Sequence, residues 1–138
     1  MDPKASMLAR VPLLAGLKPG DLEEIARNCD EIDVQTGRVL AEEGKSGQEF
    51  FLLIEGRVGI DQAGARVREL GTGDFFGEMA LLSSGRRSAT ATALTDSRLM
   101  VLTRQQFHSV LMLHPPIQVA VLETMAERLA RLEPSELH

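Results

Sequence analysis

The sequence is poor in the residues that cross-link small domains or bind metals. It has no tryptophan, no tyrosine and one cysteine, Cys29, among 138 residues. A single cysteine excludes an internal disulfide and a zinc site built from cysteines. The three histidines, His108, His114 and His138, are scattered without the spacing of metal ligands. The sequence therefore predicts neither a disulfide nor a metal site.

Long apolar runs and an excess of positive charge are also missing. No stretch reaches the roughly eighteen apolar residues that a bilayer crossing needs, and residues 1–4 lack the pattern of a signal peptide. The formal net charge of −5 argues against an extended contact with a nucleic-acid backbone. We therefore expect a cytoplasmic protein with no membrane segment and no direct binding to nucleic acid.

The length and the spacing of apolar residues indicate one α+β domain over residues 1–138. Residues 1–29 are expected to be helical: a short helix near residues 6–10, an apolar turn over 11–17, and an amphipathic helix that starts at Pro19. That last helix has apolar residues at spacings of three and four as far as Cys29.

Between residues 30 and 103 the apolar residues alternate in short runs bounded by glycine. Seven or eight short strands with glycine turns predict an antiparallel sandwich or roll rather than a parallel sheet. The expected strands contain residues 32–34, 39–40, 50–54, 58–60, 67–70, 89–93 and 97–102.

Helical signals return after the strands. Thr103 is a plausible N-cap for a helix over residues 104–113, which a His-Pro-Pro break at 114–116 ends. A second helix is expected over 117–132, with a stripe at Leu122, Met125, Leu129 and Leu132. That stripe is consistent with core packing, with a cover over a pocket, or with contact to a partner helix.

The segment 75–90 combines features suited to a small anionic ligand. A helix is expected from Gly77 to Leu82, so the first amides, of Met79, Ala80 and Leu81, can donate to a phosphate. The small side chain of Ala80 leaves space for a ligand on the backbone. The alternative is an ordinary short helix.

Glu78 and Arg87 are the charged residues of interest in this segment. Glu78 lies among apolar residues, where a carboxylate needs a hydrogen-bonding or ionic partner such as a ribose hydroxyl. Alternatively, it is a first-turn acid that suits the helix dipole. Arg87 precedes a strand of small residues and can pair with a phosphate through two parallel hydrogen bonds. No nucleophile is suggested beside a base, so we expect no enzyme activity.

Two motifs resemble those of a known family. Residues 76–81 (FGEMAL), followed after five residues by 87–91 (RSATA), resemble the phosphate-binding cassette of the cyclic nucleotide-binding domain. This family includes cyclic-nucleotide-gated channels, protein kinase A regulatory subunits and the catabolite activator protein. Residues 40–56 resemble the family's first signature, except that Ala41 and Lys45 stand where the family usually has other residues.

The resemblance implies an eight-stranded antiparallel β-roll, jelly-roll-like, with N-terminal helices over 1–29 and the roll over 30–103. It also implies C-terminal hinge and lid helices within 104–133. The implied ligand is cyclic AMP more than cyclic GMP, with no other cofactor. Arg87 would pair with the cyclic phosphate and Glu78 would accept from the ribose 2′-hydroxyl. The other expected ligand-binding residues are Gly77, Met79, Ala80, Leu81, Ser88 and Ala89.

The lid is expected to supply the contact to the purine. Because the chain lacks tryptophan and tyrosine, that contact must come from residues such as Met125 and Leu129 or from the plane of Arg128 or Arg131. Closure of the lid, hinged near residues 114–116, would carry the signal. The segment 117–132 would also serve contact with a second copy or with an effector domain.

Two other settings fit the same residues. The chain could be the effector-binding half of a DNA-binding regulator, although about six residues after the lid helix leave no room for a helix-turn-helix. It could equally be the ligand domain of a channel or an enzyme. Both settings keep the same pocket.

Overall fold

The computed structural model describes residues 3–82 and 85–130, and these ranges form eight strands, five α-helices and a short 3-10 helix. The helices are α1 (Pro3–Leu8), the 3-10 helix Pro12–Leu14, α2 (Pro19–Asn28), α3 (Glu78–Leu82), α4 (Arg104–Leu113) and α5 (Pro115–Ala130). The strands are β1 (Asp30–Val34), β2 (Val39–Ala41), β3 (Glu49–Glu55), β4 (Val58–Gln62), β5 (Ala65–Leu70), β6 (Phe75–Phe76), β7 (Thr90–Ala93) and β8 (Ser97–Thr103).

The strands form two four-stranded antiparallel sheets that face each other. One sheet has the order β1-β8-β3-β6 and the other β2-β7-β4-β5. Helices α1 and α2 precede the strands, α4 and α5 follow them, and the short α3 lies between β6 and β7. This is the predicted α+β β-roll.

Strand β3 separates two hydrophobic cores. Phe50 and Leu52 belong to the core between the first sheet and the helices, whereas Phe51 and Leu53 belong to the core between the sheets. Neighbouring residues of a strand point to opposite faces, so a strand buried on both faces is apolar throughout. Five consecutive residues, 50–54, are buried in this way.

Aromatic rings strengthen each core. Phe50 stacks on Phe107 of α4 with centroids 4.5 Å apart, and Phe51 stacks on Phe76 of β6 at 4.7 Å. Offset stacking of this kind adds to the free energy gained from burial alone. The two residues of β6 therefore hold the start of segment 75–90 against strand β3.

Helix α5 packs through a different stripe from the predicted one. Its buried residues are Ile117 and Val121, while Leu122 is 63% exposed and Leu129 is 56% exposed. Met125 is partly buried against the helix-side core. Leu132 of the predicted stripe lies outside the described residues. Core packing therefore does not explain Leu122 and Leu129, and the expected contact with a second copy or an effector stays a prediction.

The predicted elements agree with the structure best at α4. Its bounds match the prediction, and Thr103 and Gln106 form a capping box in which the Thr103 side chain accepts from the Gln106 amide. The first helix lies nearer the N-terminus than the predicted 6–10. Strand β6 was not predicted, because two residues are too short to show a period. No helix in the described ranges is long and apolar enough to cross a membrane.

Candidate functional site

A pocket opens between α3, the β2-β7-β4-β5 sheet and the C-terminal part of α5. Seven of the eight predicted ligand-binding residues line it, and Leu81 is the exception. The lining consists of Ala41, Ile60, Arg68, Leu70, Phe76, Gly77, Glu78, Met79, Ala80, Arg87, Ser88, Ala89, Ala91 and Arg128. Segment 75–90 and helix α5 thus meet at one cavity.

Arg87 lines this pocket and is buried, with 7% of its surface exposed. Its backbone N–H donates to the Lys45 carbonyl at 2.8 Å, and its own carbonyl accepts from the Gly44 amide at 2.9 Å. The guanidinium Nη1 donates to the Gly77 carbonyl at 3.3 Å and lies 5.7 Å from the centroid of the Phe51 ring. The loop before β3 therefore fixes the backbone that carries the cation.

Two glycines make room for this guanidinium. A Cβ on Gly47 would lie 2.3 Å from Arg87 Nε, and a Cβ on Gly77 would lie 2.7 Å from the Glu49 carbonyl oxygen and 2.9 Å from Arg87 Nη1. Gly77 also has a φ of +96°, in the left-handed region that favours glycine. Larger residues at either position would displace the guanidinium or the backbone.

The guanidinium of Arg87 is a buried cation near two carboxylates. Burial lowers the pKa of its guanidinium, while the nearby carboxylates of Glu49 and Glu78 act in the opposite direction. Arginine nevertheless remains protonated in proteins. Among the described residues the guanidinium makes a single hydrogen bond, to Gly77, so further donors remain for an anion.

Glu78 is buried, with 2% of its surface exposed, and it has an ionic partner on α5. Arg128 Nη1 lies 2.6 Å from Glu78 Oε1, and Arg128 Nη2 donates to the Phe75 carbonyl at 2.5 Å. The Arg128 guanidinium also lies 4.9 Å from the centroid of the Phe75 ring. The carboxylate that the sequence assigns to the ligand is thus also the attachment point of α5.

Two residues of α4 hold the end of α3, and sequence reasoning missed both. Arg104 donates from Nη2 to the Ala80 carbonyl at 2.9 Å and from Nη1 to the Leu81 carbonyl at 3.2 Å. His108 Nε2 lies 3.1 Å from the same Leu81 carbonyl oxygen. These carbonyls are left without intrahelical donors at the end of a short helix. No sequence pattern links them to α4.

The remaining predicted residues differ in what they contribute. The side chain of Leu81 lies in the helix-side core, so any ligand contact would come from its backbone. Ser88 is exposed, and its carbonyl accepts from Gln62 Nε2 at 3.0 Å. In the lid, Arg128 lines the pocket while Met125 and Leu129 do not. Arg131 lies outside the described residues.

Comparisons with known proteins identify the family of the chain. A sequence model of the cyclic nucleotide-binding domain matches residues 31–114. The chain is 38% identical over 122 residues to a cyclic nucleotide-gated potassium channel of Rhizobium etli, covering 88% of this chain and 34% of the channel. It is 28% identical over 130 residues to a CRP-like cAMP-activated global transcriptional regulator of Mycobacterium tuberculosis, covering 91% of this chain and 58% of the regulator.

Solved structures show the same fold. The cAMP-bound structure of PfPKA-R (141-441) superposes with a TM-score of 0.84 at 25% identity, covering 91% of this chain and 44% of that one. The chain thus spans about a third to three fifths of the length of the curated relatives described above. The matched family model covers more than half of the chain, including both the Glu78 and Arg87 sides of the pocket. The chain therefore belongs to the cyclic nucleotide-binding domain family.

Proposed function

We propose that this chain is a non-catalytic sensor that binds cyclic AMP in preference to cyclic GMP and transmits binding through α4 and α5. The observation that carries the proposal is Arg87, a buried cation in a pocket whose backbone is held by hydrogen bonds and whose guanidinium makes a single hydrogen bond among the described residues. A cyclic phosphate supplies one negative charge and two exocyclic oxygens, which suit a guanidinium fork.

Glu78 would receive the sugar. A ribose 2′-hydroxyl can donate to one carboxylate oxygen while Arg128 stays on the other, because only Oε1 is paired with Arg128 in the structure. The ligand and the lid helix would then share one carboxylate. This supports a mechanism in which the bound nucleotide favours one position of α5, since a ligand shifts an equilibrium only through contacts that differ between states.

Arg128 takes a different role here from the purine stacking suggested by the sequence. Its guanidinium is engaged by Glu78, the Phe75 carbonyl and the Phe75 ring. We therefore assign Arg128 to lid closure, and the apolar lining of the pocket, such as Ile60 and Leu70, to the base.

The preference for adenine is supported by relatives. The Mycobacterium tuberculosis regulator is named as cAMP-activated, and the structure of PfPKA-R is cAMP-bound. The hydroxyl of Ser88 alone does not decide between the two bases.

Isothermal titration of the purified, untagged domain with cyclic AMP, cyclic GMP and 5′-AMP tests the proposal. We expect one site, with cyclic AMP binding at least about tenfold tighter than cyclic GMP, a difference of about 1.4 kcal/mol. 5′-AMP is the control for the ring phosphate and should bind more weakly than cyclic AMP. If neither cyclic nucleotide binds, the proposed function is overturned. If cyclic GMP binds more tightly than cyclic AMP, only the base preference is overturned.

A further inference from the structure

A second group of polar side chains lies away from the nucleotide pocket, where α2 faces the junction of α4 and α5. Asp21 and Glu24 of α2 and His114 each offer one ligand atom, and these atoms all lie within 4.8 Å of one another. Asp21 and Glu24 are three residues apart, so they share one face of the helix. The fold thus brings together a histidine and two acids that are about ninety residues apart in the sequence.

His114 is the unusual member of this group. It is 7% exposed, yet its ring makes no hydrogen bond or ion pair with any residue of the described ranges 3–82 and 85–130. Its backbone, in contrast, is fully used: its N–H donates to Val110 and its carbonyl accepts from Ile117. The ring also lines a cleft between α2 and α4, so an ion that enters from solvent can reach it.

The spacing of the three groups suits a metal ion better than direct bonding. The imidazole forms no ion pair with either carboxylate, although all three ligand atoms converge. Zinc bonds of about 2.0–2.2 Å to nitrogen and oxygen hold ligand atoms roughly 3–4 Å apart, so small side-chain rotations would complete the site. A cleft between α2 and α4, lined by Glu24 and His114 among others, gives a path from solvent.

We propose that Asp21, Glu24 and His114 form a zinc site that fastens α2 to the junction of α4 and α5. An imidazole ligand favours zinc over magnesium or calcium, which prefer sites built entirely from oxygen. Three protein ligands leave room for water to complete the coordination. Because His114 lies directly before Pro115, the bound ion fixes the point at which the lid helix leaves the hinge helix.

The site does not depend on the nucleotide, so its test uses the untagged chain without nucleotide. Titration with zinc chloride should show one site, and magnesium chloride should show none at the same concentration. Zinc should also raise the melting temperature of the chain, since an ion that binds the folded state stabilises it. No zinc binding by the parent chain would overturn the proposal.

Variants locate the site. His114→Ala, Asp21→Asn and Glu24→Gln should each weaken zinc binding by at least about tenfold, because even residues behind a metal ligand contribute that much. Glu23→Gln, the neighbouring acid on α2, is the matched control and should bind zinc like the parent. If His114→Ala fails to fold by circular dichroism, the two α2 variants decide. Unchanged binding in Asp21→Asn and Glu24→Gln, or equal loss in Glu23→Gln, would overturn the assignment.

Discussion

The two ends of the nucleotide pocket are built in different ways. Arg87 is held by the roll itself, through backbone hydrogen bonds to Lys45 and Gly44 and through the space left by Gly47. Glu78 is held by a helix fifty residues away, through Arg128 of α5. One end therefore belongs to the sheet framework, and the other is completed by a C-terminal helix.

Because of this difference, we expect the Arg87 end to contribute mainly to affinity and the Glu78 end to the conformational response. Groups fixed by a rigid framework need little reorganisation when a ligand arrives, so they favour binding. Glu78, in contrast, is paired with α5, which packs through few buried residues, and such a helix can change position when a ligand binds. The buried residues of α5 are Ile117 and Val121, near its start, whereas Arg128, which pairs with Glu78, lies near its end.

The largest expected effect on nucleotide affinity is at the Arg87 end of the pocket. Arg87→Ala removes the cation that we propose pairs with the phosphate, and we expect a loss of about 2–5 kcal/mol in cyclic-nucleotide binding with the fold retained. Calorimetry measures the loss, and circular dichroism checks the fold. Arg86→Ala is the matched control, because Arg86 is exposed and points its Nη1 to the Gly44 carbonyl. Binding that survives in Arg87→Ala would remove Arg87 from the site.

A smaller effect should follow from filling the space beside Arg87. In Gly47→Ala the new Cβ would lie 2.3 Å from Arg87 Nε, so the guanidinium must move. We expect nucleotide binding to weaken by about tenfold, or about 1.4 kcal/mol, because the guanidinium is displaced but not removed. Gly71→Ala is the control, since a Cβ there meets nothing within 4 Å. Equal effects of the two variants on affinity would show that the framework does not position Arg87.

At the Glu78 end of the pocket, which α5 completes, Arg128→Gln should lower the stability of the fold. It leaves Glu78 buried without its cationic partner, so we expect the free energy of unfolding to fall by about 1–3 kcal/mol in urea titrations. Arg128→Lys keeps a positive charge and should lose less. The loss should also be smaller when Glu78→Gln is already present, because the two residues interact directly. The same loss in both backgrounds would contradict the ion pair.

The smallest of these effects is expected at the link between α3 and α4. Arg104→Met removes two hydrogen bonds to the carbonyls of Ala80 and Leu81. We expect the free energy of unfolding to fall by about 1–2 kcal/mol, with less effect on nucleotide binding than Arg87→Ala. Gln105→Met, at the exposed neighbouring position, serves as the control. If Arg104→Met lost as much nucleotide affinity as Arg87→Ala, that result would instead place Arg104 in contact with the ligand.

Much of the fold could be predicted from local signals. The bounds of α4 follow from a capping threonine at 103 and the proline pair at 115–116, which act within a few residues. The β-roll follows from alternating apolar runs between glycines, and the family resemblance adds the number of strands. The pocket residues in 77–80 and 87–89 lie in one continuous motif, which is why sequence could find them.

Contacts between distant residues could not be predicted in this way. The pair Glu78 and Arg128, and the approach of His114 to Asp21, depend on how the helices pack. The buried stripe of α5 was also missed. Apolar residues occur around most of that helix, so spacing alone does not distinguish Ile117 and Val121 from Leu122 and Leu129.

Strand β3 limits how this domain can vary in length. Phe50 packs against the helices and Phe51 against the roll, so inserting or deleting one residue within the strand would exchange the two sets of side chains. The exposed turn at Ala63 and Gly64 carries no such constraint. A reporter domain or a peptide tag therefore belongs at that turn, whereas the length of β3 has to be kept.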